Sequence, residues 1–71
     1  MPQSLDLHDV VALLVDLPEN RLCRGQVGTV VELLAPNVYE IEFSDDDGRT
    51  YAMLALKGEQ VMLLRYHAAA G

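Results

Sequence analysis

Residues Arg24-Gly25-Gln26-Val27-Gly28-Thr29-Val30-Val31-Glu32 set the reading of this chain. A basic residue, a glycine, two spacers and a second glycine run straight into a β-branched stretch. Glycine enters backbone regions of positive φ that a Cβ disfavours. Two of them three positions apart, just ahead of Thr-Val-Val, read as a tight bend feeding a strand, with Gly25 and Gly28 both expected in the bend. A small β-barrel can open its central hairpin in this way. The stretch names neither a ligand nor a reaction.

Upstream of the bend, Val10 to Asp16 reads Val-Val-Ala-Leu-Leu-Val-Asp, short, partly β-branched and bounded by Pro18. A buried strand is expected there, although periodicity alone does not separate it from a helix. Pro18-Glu19-Asn20-Arg21 reads as a loop that continues through Leu22, Cys23 and Arg24. Downstream, a second strand runs from Val27 to Leu34 and is broken at Ala35-Pro36-Asn37, because proline lacks the ladder donor and asparagine tolerates left-handed geometry. In the next segment, Val38 to Ser44, Tyr39, Ile41 and Phe43 alternate with Glu40 and Glu42, which gives one apolar and one acidic face.

Asp45-Asp46-Asp47-Gly48 reads as a hairpin connection, with Asp47 and Gly48 as the turn pair. Thr50 to Leu56 and Val61 to Tyr66 complete five strands, with Lys57-Gly58-Glu59-Gln60 long enough for one turn of 3₁₀ helix between them. Ser4 to Asp9 has room for a short turn, and residues 67–71 are expected to fray. Short strands with brief connections suggest a closed all-β barrel, since closure removes sticky edges. No repeat, linker or low-complexity segment divides the chain, so residues 1–71 read as one domain with its core at about 7–66.

Composition narrows the functional classes. The apolar share of 51% is too high for a disordered acidic tail, and the formal net charge of -6 opposes sequence-independent binding to phosphate backbones. A basic protein partner, or solubility alone, is a better use of that charge. The single cysteine, Cys23, cannot form an internal disulfide, which fits a reducing compartment. No apolar run reaches the about 18 residues of a membrane helix, and the start of the chain lacks the pattern of a signal peptide. A cytoplasmic protein is expected.

The order of motifs carries a resemblance. Asp9-Val10-Val11-Ala12-Leu13-Leu14, Asp16-Leu17-Pro18, the glycine stretch through Glu32, Tyr39-Glu40-Ile41-Glu42-Phe43 and Asp47-Gly48-Arg49-Thr50-Tyr51-Ala52 together resemble an uncharacterised bacterial domain-of-unknown-function family of small proteins, of the DUF4926 type. The likeness covers roughly Leu7 to Leu64. The glycine bend is also similar to the KOW element of SH3-like barrels in ribosomal and transcription proteins. The resemblance implies an SH3-like barrel and a binding role, and it carries over no catalytic residue.

Candidate sites are weighed against plainer roles. Asp45, Asp46 and Asp47 lack the alternating ligands and distant glutamate of a calcium loop, so they read as a solvated turn. His8, His67 and Cys23 lack metal-ligand spacing. Cys23 has Arg21 and Arg24 nearby in sequence but no positioned base, so a half-buried thiol is expected rather than a nucleophile. Tyr39, Tyr51 and Tyr66 read as packed aromatics rather than a base-stacking platform, because the cations are spread out and outnumbered. Arg49 is expected to pair with Glu40 or Glu42 across the hairpin. No catalytic, cofactor or metal site is expected, and neither is an enzyme.

The surplus of apolar strand is the stronger clue. Val10 to Val15, Met53 to Leu56 and Val61 to Leu64 show no polar alternation, yet a small barrel buries only one face of each strand. The spare faces are expected to pack under the N-terminal segment, against a second copy in a homo-oligomer or against another protein. Val11, Leu13, Met62 and Leu64 are the expected contact residues, with Leu54 as a substitute because strand parity is open. The expected function is a small acidic protein-interaction module, an antitoxin-like or accessory subunit of a neighbouring bacterial protein. The alternative is a KOW-like nucleic-acid or ribosome-binding module, which a clustering of Arg21, Arg24 and Arg49 would favour.

Overall fold

Strict alternation makes Val38–Ser44 the organising strand. Tyr39, Ile41 and Phe43 are all buried, while Glu40 and Glu42 lie on the opposite, half-exposed face. In a computed structural model describing residues 4–66 and 68, this strand is the third of five: β1 (Val10–Leu13), β2 (Val27–Ala35), β3 (Val38–Ser44), β4 (Thr50–Lys57) and β5 (Val61–Leu63). They form one antiparallel sheet in the order β4-β3-β2-β1-β5. Single 3₁₀ turns at Pro18–Asn20 and Gly58–Gln60 are the helical elements among the described residues. The all-β, SH3-like expectation therefore holds. The terminal residues expected to fray, Ala68 apart, lie outside the described residues.

All five strands contribute to one core: Val11 and Leu13 from β1, Val30 from β2, Tyr39, Ile41 and Phe43 from β3, Leu56 from β4 and Val61 from β5. No helical layer among the described residues covers these side chains, so the sheet must curl over its own inner face to bury them. Each such side chain contributes about 1.5–3 kcal/mol when fully removed from water. Leu5 and Leu22, from irregular segments, join the core. The Leu5 amide donates to the Tyr39 hydroxyl (3.3 Å), which satisfies the polar tip of a buried ring.

The register shifts of β2 against β3 lie between Val30 and Glu32 and again between Leu33 and Ala35. Bulges of this kind bend a strand and tighten its twist. β1 pairs with β2 at Val27, Gly28 and Thr29, and beyond the buried Val30 the far end of β2 has no partner on that side among the described residues and leaves Leu33 and Leu34 exposed.

The two glycines of the opening stretch do different jobs. Gly25 sits at φ 96° in the Cys23–Gln26 turn, which the Gln26 amide closes by donating to Cys23 O (3.1 Å). Gly28 is not in the bend, a correction to the sequence reading. It lies in β2, and a Cβ there would meet Ile41 Cγ2 at 2.6 Å, Glu42 O at 3.0 Å and Phe43 Cδ2 at 3.0 Å. Close approach of two strands, not turn geometry, requires a glycine at this point. At the β3–β4 connection only Gly48 has positive φ (81°). The Asp45 carboxylate accepts from the Asp47 and Arg49 amides (both 2.9 Å) and so organises the acidic turn internally.

Candidate interaction surface

Cross-strand partners point to the same side of a sheet, so the register sorts every strand residue into inner and outer sets. Val11 pairs with Gly28 and Leu63, all on the core side. Val10 pairs with Thr29, and Ala12 pairs with both Val27 and Met62, on the outer side. The Leu64 amide donates to Val10 O (2.9 Å), which continues this register and places Leu64 beside Val10. Val27, Ala12, Met62, Val10 and Leu64 thus form a continuous apolar strip across β2, β1 and β5. Val27 and Met62 are 48% and 47% exposed, and Ala12 is sheltered between them.

The strip corrects half of the expected contact set. Met62 stands on the outer face and Leu64 is half-buried beside it, but Val11 (0% exposed) and Leu13 (1%) are core residues. Their burial leaves no surface for a partner. The expectation is displaced by one residue in β1, where Val10 and Ala12 occupy the outer positions. Leu54, the named substitute, pairs with Ile41 and packs against the core. With both faces of β1 apolar, its sequence carried no polar residue to mark parity.

At the end of the strip lies an open hollow of about 190 Å³, lined by His8, Asp9, Val10, Leu63, Leu64, Arg65 and Tyr66. It is smaller than the range in which drug-sized ligands are held. His8 has a left-handed backbone (φ 72°), held by its amide donating to Val30 O (2.7 Å) while the Val30 amide donates to Asp9 O (2.9 Å). The sequence reading did not single out this hollow, because its walls come from both ends of the chain.

The remaining candidates are dispersed. His8 precedes β1 and Cys23 sits beyond the other end of that strand, in the glycine turn. Cys23 is exposed rather than half-buried. Tyr39 is in the core, while Tyr51 is exposed and its hydroxyl accepts from Gln26 Nε2 (3.1 Å). The tyrosines therefore do not line one platform. The Gln26–Tyr51 bond brings the glycine turn and the β3–β4 turn to one end of the sheet. Each arginine there has an acidic neighbour: the Asp16 carboxylate accepts from the Arg24 amide (2.8 Å), and the Asp45 carboxylate accepts from the Arg49 amide (2.9 Å). The Thr50 hydroxyl, not Arg49, bonds the Glu42 carboxylate, and no ion pair joins Arg49 to Glu40 or Glu42 among the described residues.

At the opposite end, Asn37 (φ 61°) closes the β2–β3 turn, and its Nδ2 donates to Glu59 Oε1 (2.6 Å). The Gly58 amide reaches both Asn37 O and Oδ1 (3.2 Å each). The hydrogen bond from Asn37 holds the Glu59 carboxyl below the usual glutamate range, helped by the Glu59 backbone amide and the charge of Lys57.

Geometry and sequence agree on a class: a small, acidic, all-β barrel-like domain with an apolar strip whose Val27 and Met62 are exposed. The profile of the family described as "Domain of unknown function (DUF4926)" matches residues 7–63, and the chain belongs to that family. No curated protein and no solved structure matches it. No helix among the described residues is long and apolar enough to cross a membrane.

Proposed function

We propose that this chain is a small acidic protein-interaction module of the cytoplasm that docks on a basic protein, as an accessory or antitoxin-like subunit does. One observation carries the reading: the strip Val27–Ala12–Met62 with Val10 and Leu64 leaves Val27 and Met62 about half exposed on strands whose inner faces already fill the core. Apolar surface gathered in one place on a small acidic molecule favours a contact with another protein. The net charge of -6 favours a basic partner and disfavours a second copy. Asp16 beside Arg24 and Asp45 beside Arg49 weigh against the nucleic-acid alternative.

Affinity recovery from the native host tests this. Wild-type chain is expected to bring down one basic protein in fixed ratio, and Val27→Ser with Met62→Ser to lose it while staying folded. Recovery of the chain alone, or equal recovery by the double variant, overturns the proposal.

A further inference from the structure

The β4 edge carries a more specific surface. The Gly58 amide donates to Asn37 O, and positions 58 and 37 continue the register Lys57↔Val38, Leu56↔Tyr39. Bonded pairs alternate along an antiparallel ladder, so Leu56, Leu54 and Ala52 exchange main-chain bonds with β3. The N–H and C=O groups of Met53 and Ala55 therefore point away from the sheet. β4 is its outermost strand on that side, and no described residue pairs with those groups. The edge is bounded at both ends: a register shift lies at its start, and the Lys57 amide is taken by Gln60 Oε1 (2.8 Å). What remains open is a short template for one added strand.

The side chains beside it indicate what that strand carries. On the outer face Met53 lies opposite Glu42 and Ala55 opposite Glu40, and Glu40 is in turn opposite Glu32. Two like charges directly across a ladder repel. Glu42 is engaged by Thr50, whereas neither Glu32 nor Glu40 has a cationic partner among the described residues. Ala55 has only a methyl group, so the path over it toward Glu40 is clear. A strand added outside β4 lies two strand spacings from β3, about 9.6 Å, within joint reach of an arginine or lysine and Glu40. The apolar neighbour for Met53 stands two residues away on the same face.

We propose that β4 accepts an extended segment of a partner protein by strand addition, with a basic side chain over Ala55 directed to Glu40 and an apolar side chain two positions away against Met53. The proposal rests on the interaction reading above and names its mode of recognition. A second copy fits less well: it brings a net charge of -6 to an already acidic face.

The test is a ¹⁵N NMR titration with acetyl-Thr-Val-Thr-Arg-Thr-Val-Thr-amide and its glutamate-for-arginine counterpart. The arginine peptide is expected to shift the Met53 and Ala55 amides and to bind about tenfold more tightly than the glutamate peptide, a difference near 1.4 kcal/mol. Ala55→Pro removes an edge donor without touching the β3–β4 ladder, leaves the Met53 amide as the probe and is expected to abolish its shift. Should that variant unfold, Ala55→Leu, which fills the path over the methyl, and Glu40→Gln are each expected to erase the arginine preference in a folded chain. Equal binding of the two peptides overturns the proposal, as does the absence of any response at Met53 and Ala55. Shifts at those amides that follow protein concentration alone assign the edge to a second copy and equally overturn it. A response confined to Val27 and Met62 overturns strand addition while supporting the strip, so the two readings fail separately.

Discussion

β3 and β1 are both central strands, yet they divide their residues differently. β3 alternates: Ile41 and Phe43 face the core, while Glu40 and Glu42 face out. β1 is apolar on both sides, with Val11 and Leu13 inside and Val10 and Ala12 outside. A strand whose outer face is charged can leave that face in water when the domain folds. A strand whose outer face is apolar still has surface to cover. The comparison assigns stability to the inner faces of both strands and apolar docking to the outer face of β1 and its neighbours.

The largest effects should come from the shared inner face. Phe43→Ala in β3 is expected to cost about 3–5 kcal/mol and Leu13→Ala in β1 about 2–5 kcal/mol by chemical denaturation. If Leu13→Ala behaved as a surface substitution, the assigned parity of β1 would be wrong. Gly28→Ala comes next, at about 1–3 kcal/mol, because the new methyl must displace Ile41 and the Glu42 carbonyl. On the outer face, Val27→Ser and Met62→Ser should each change stability by less than about 0.5 kcal/mol and still weaken partner recovery. That contrast with Leu13→Ala is the sharpest form of the comparison.

The smallest effect is electrostatic and lies away from both strands. Glu59 has a lowered pKa in the folded chain, so its contribution to stability is present above the ordinary glutamate range and is lost as pH falls through the lowered value. Asn37→Ala should raise the Glu59 pKa toward that ordinary range in a side-chain carboxyl titration. An unmoved titration would show that the Asn37 amide is not its cause.

Alternation explains what could be read from the chain alone. β3 was legible to the residue because its two faces differ in chemistry, and the 3₁₀ turn at Gly58–Gln60 because a polar tetrad separates two apolar runs. β1 gave its existence but not its parity, since a shift of one residue exchanges one apolar set for another. Leu5 and Leu22 were not legible as core residues, because irregular segments have no period to betray burial. Gly28 looked like a turn glycine, and only the approach of β3 shows why it is small. The Asn37–Glu59 contact joins residues 22 apart in sequence, a separation no local pattern reports.

Met62 offers the most direct test of the assignment of apolar docking to the outer face. The residue is 47% exposed in the free chain, which leaves its side chain open to peroxide. Oxidation of Met62 to the sulfoxide, followed by mass spectrometry, is to be compared between the purified chain and a lysate of its native host, with free methionine as an internal rate standard. The account predicts clearly slower oxidation of Met62 in the lysate, where the partner covers the strip. Equal rates, relative to that standard, would mean that the strip stays bare in its native setting and would contradict the account.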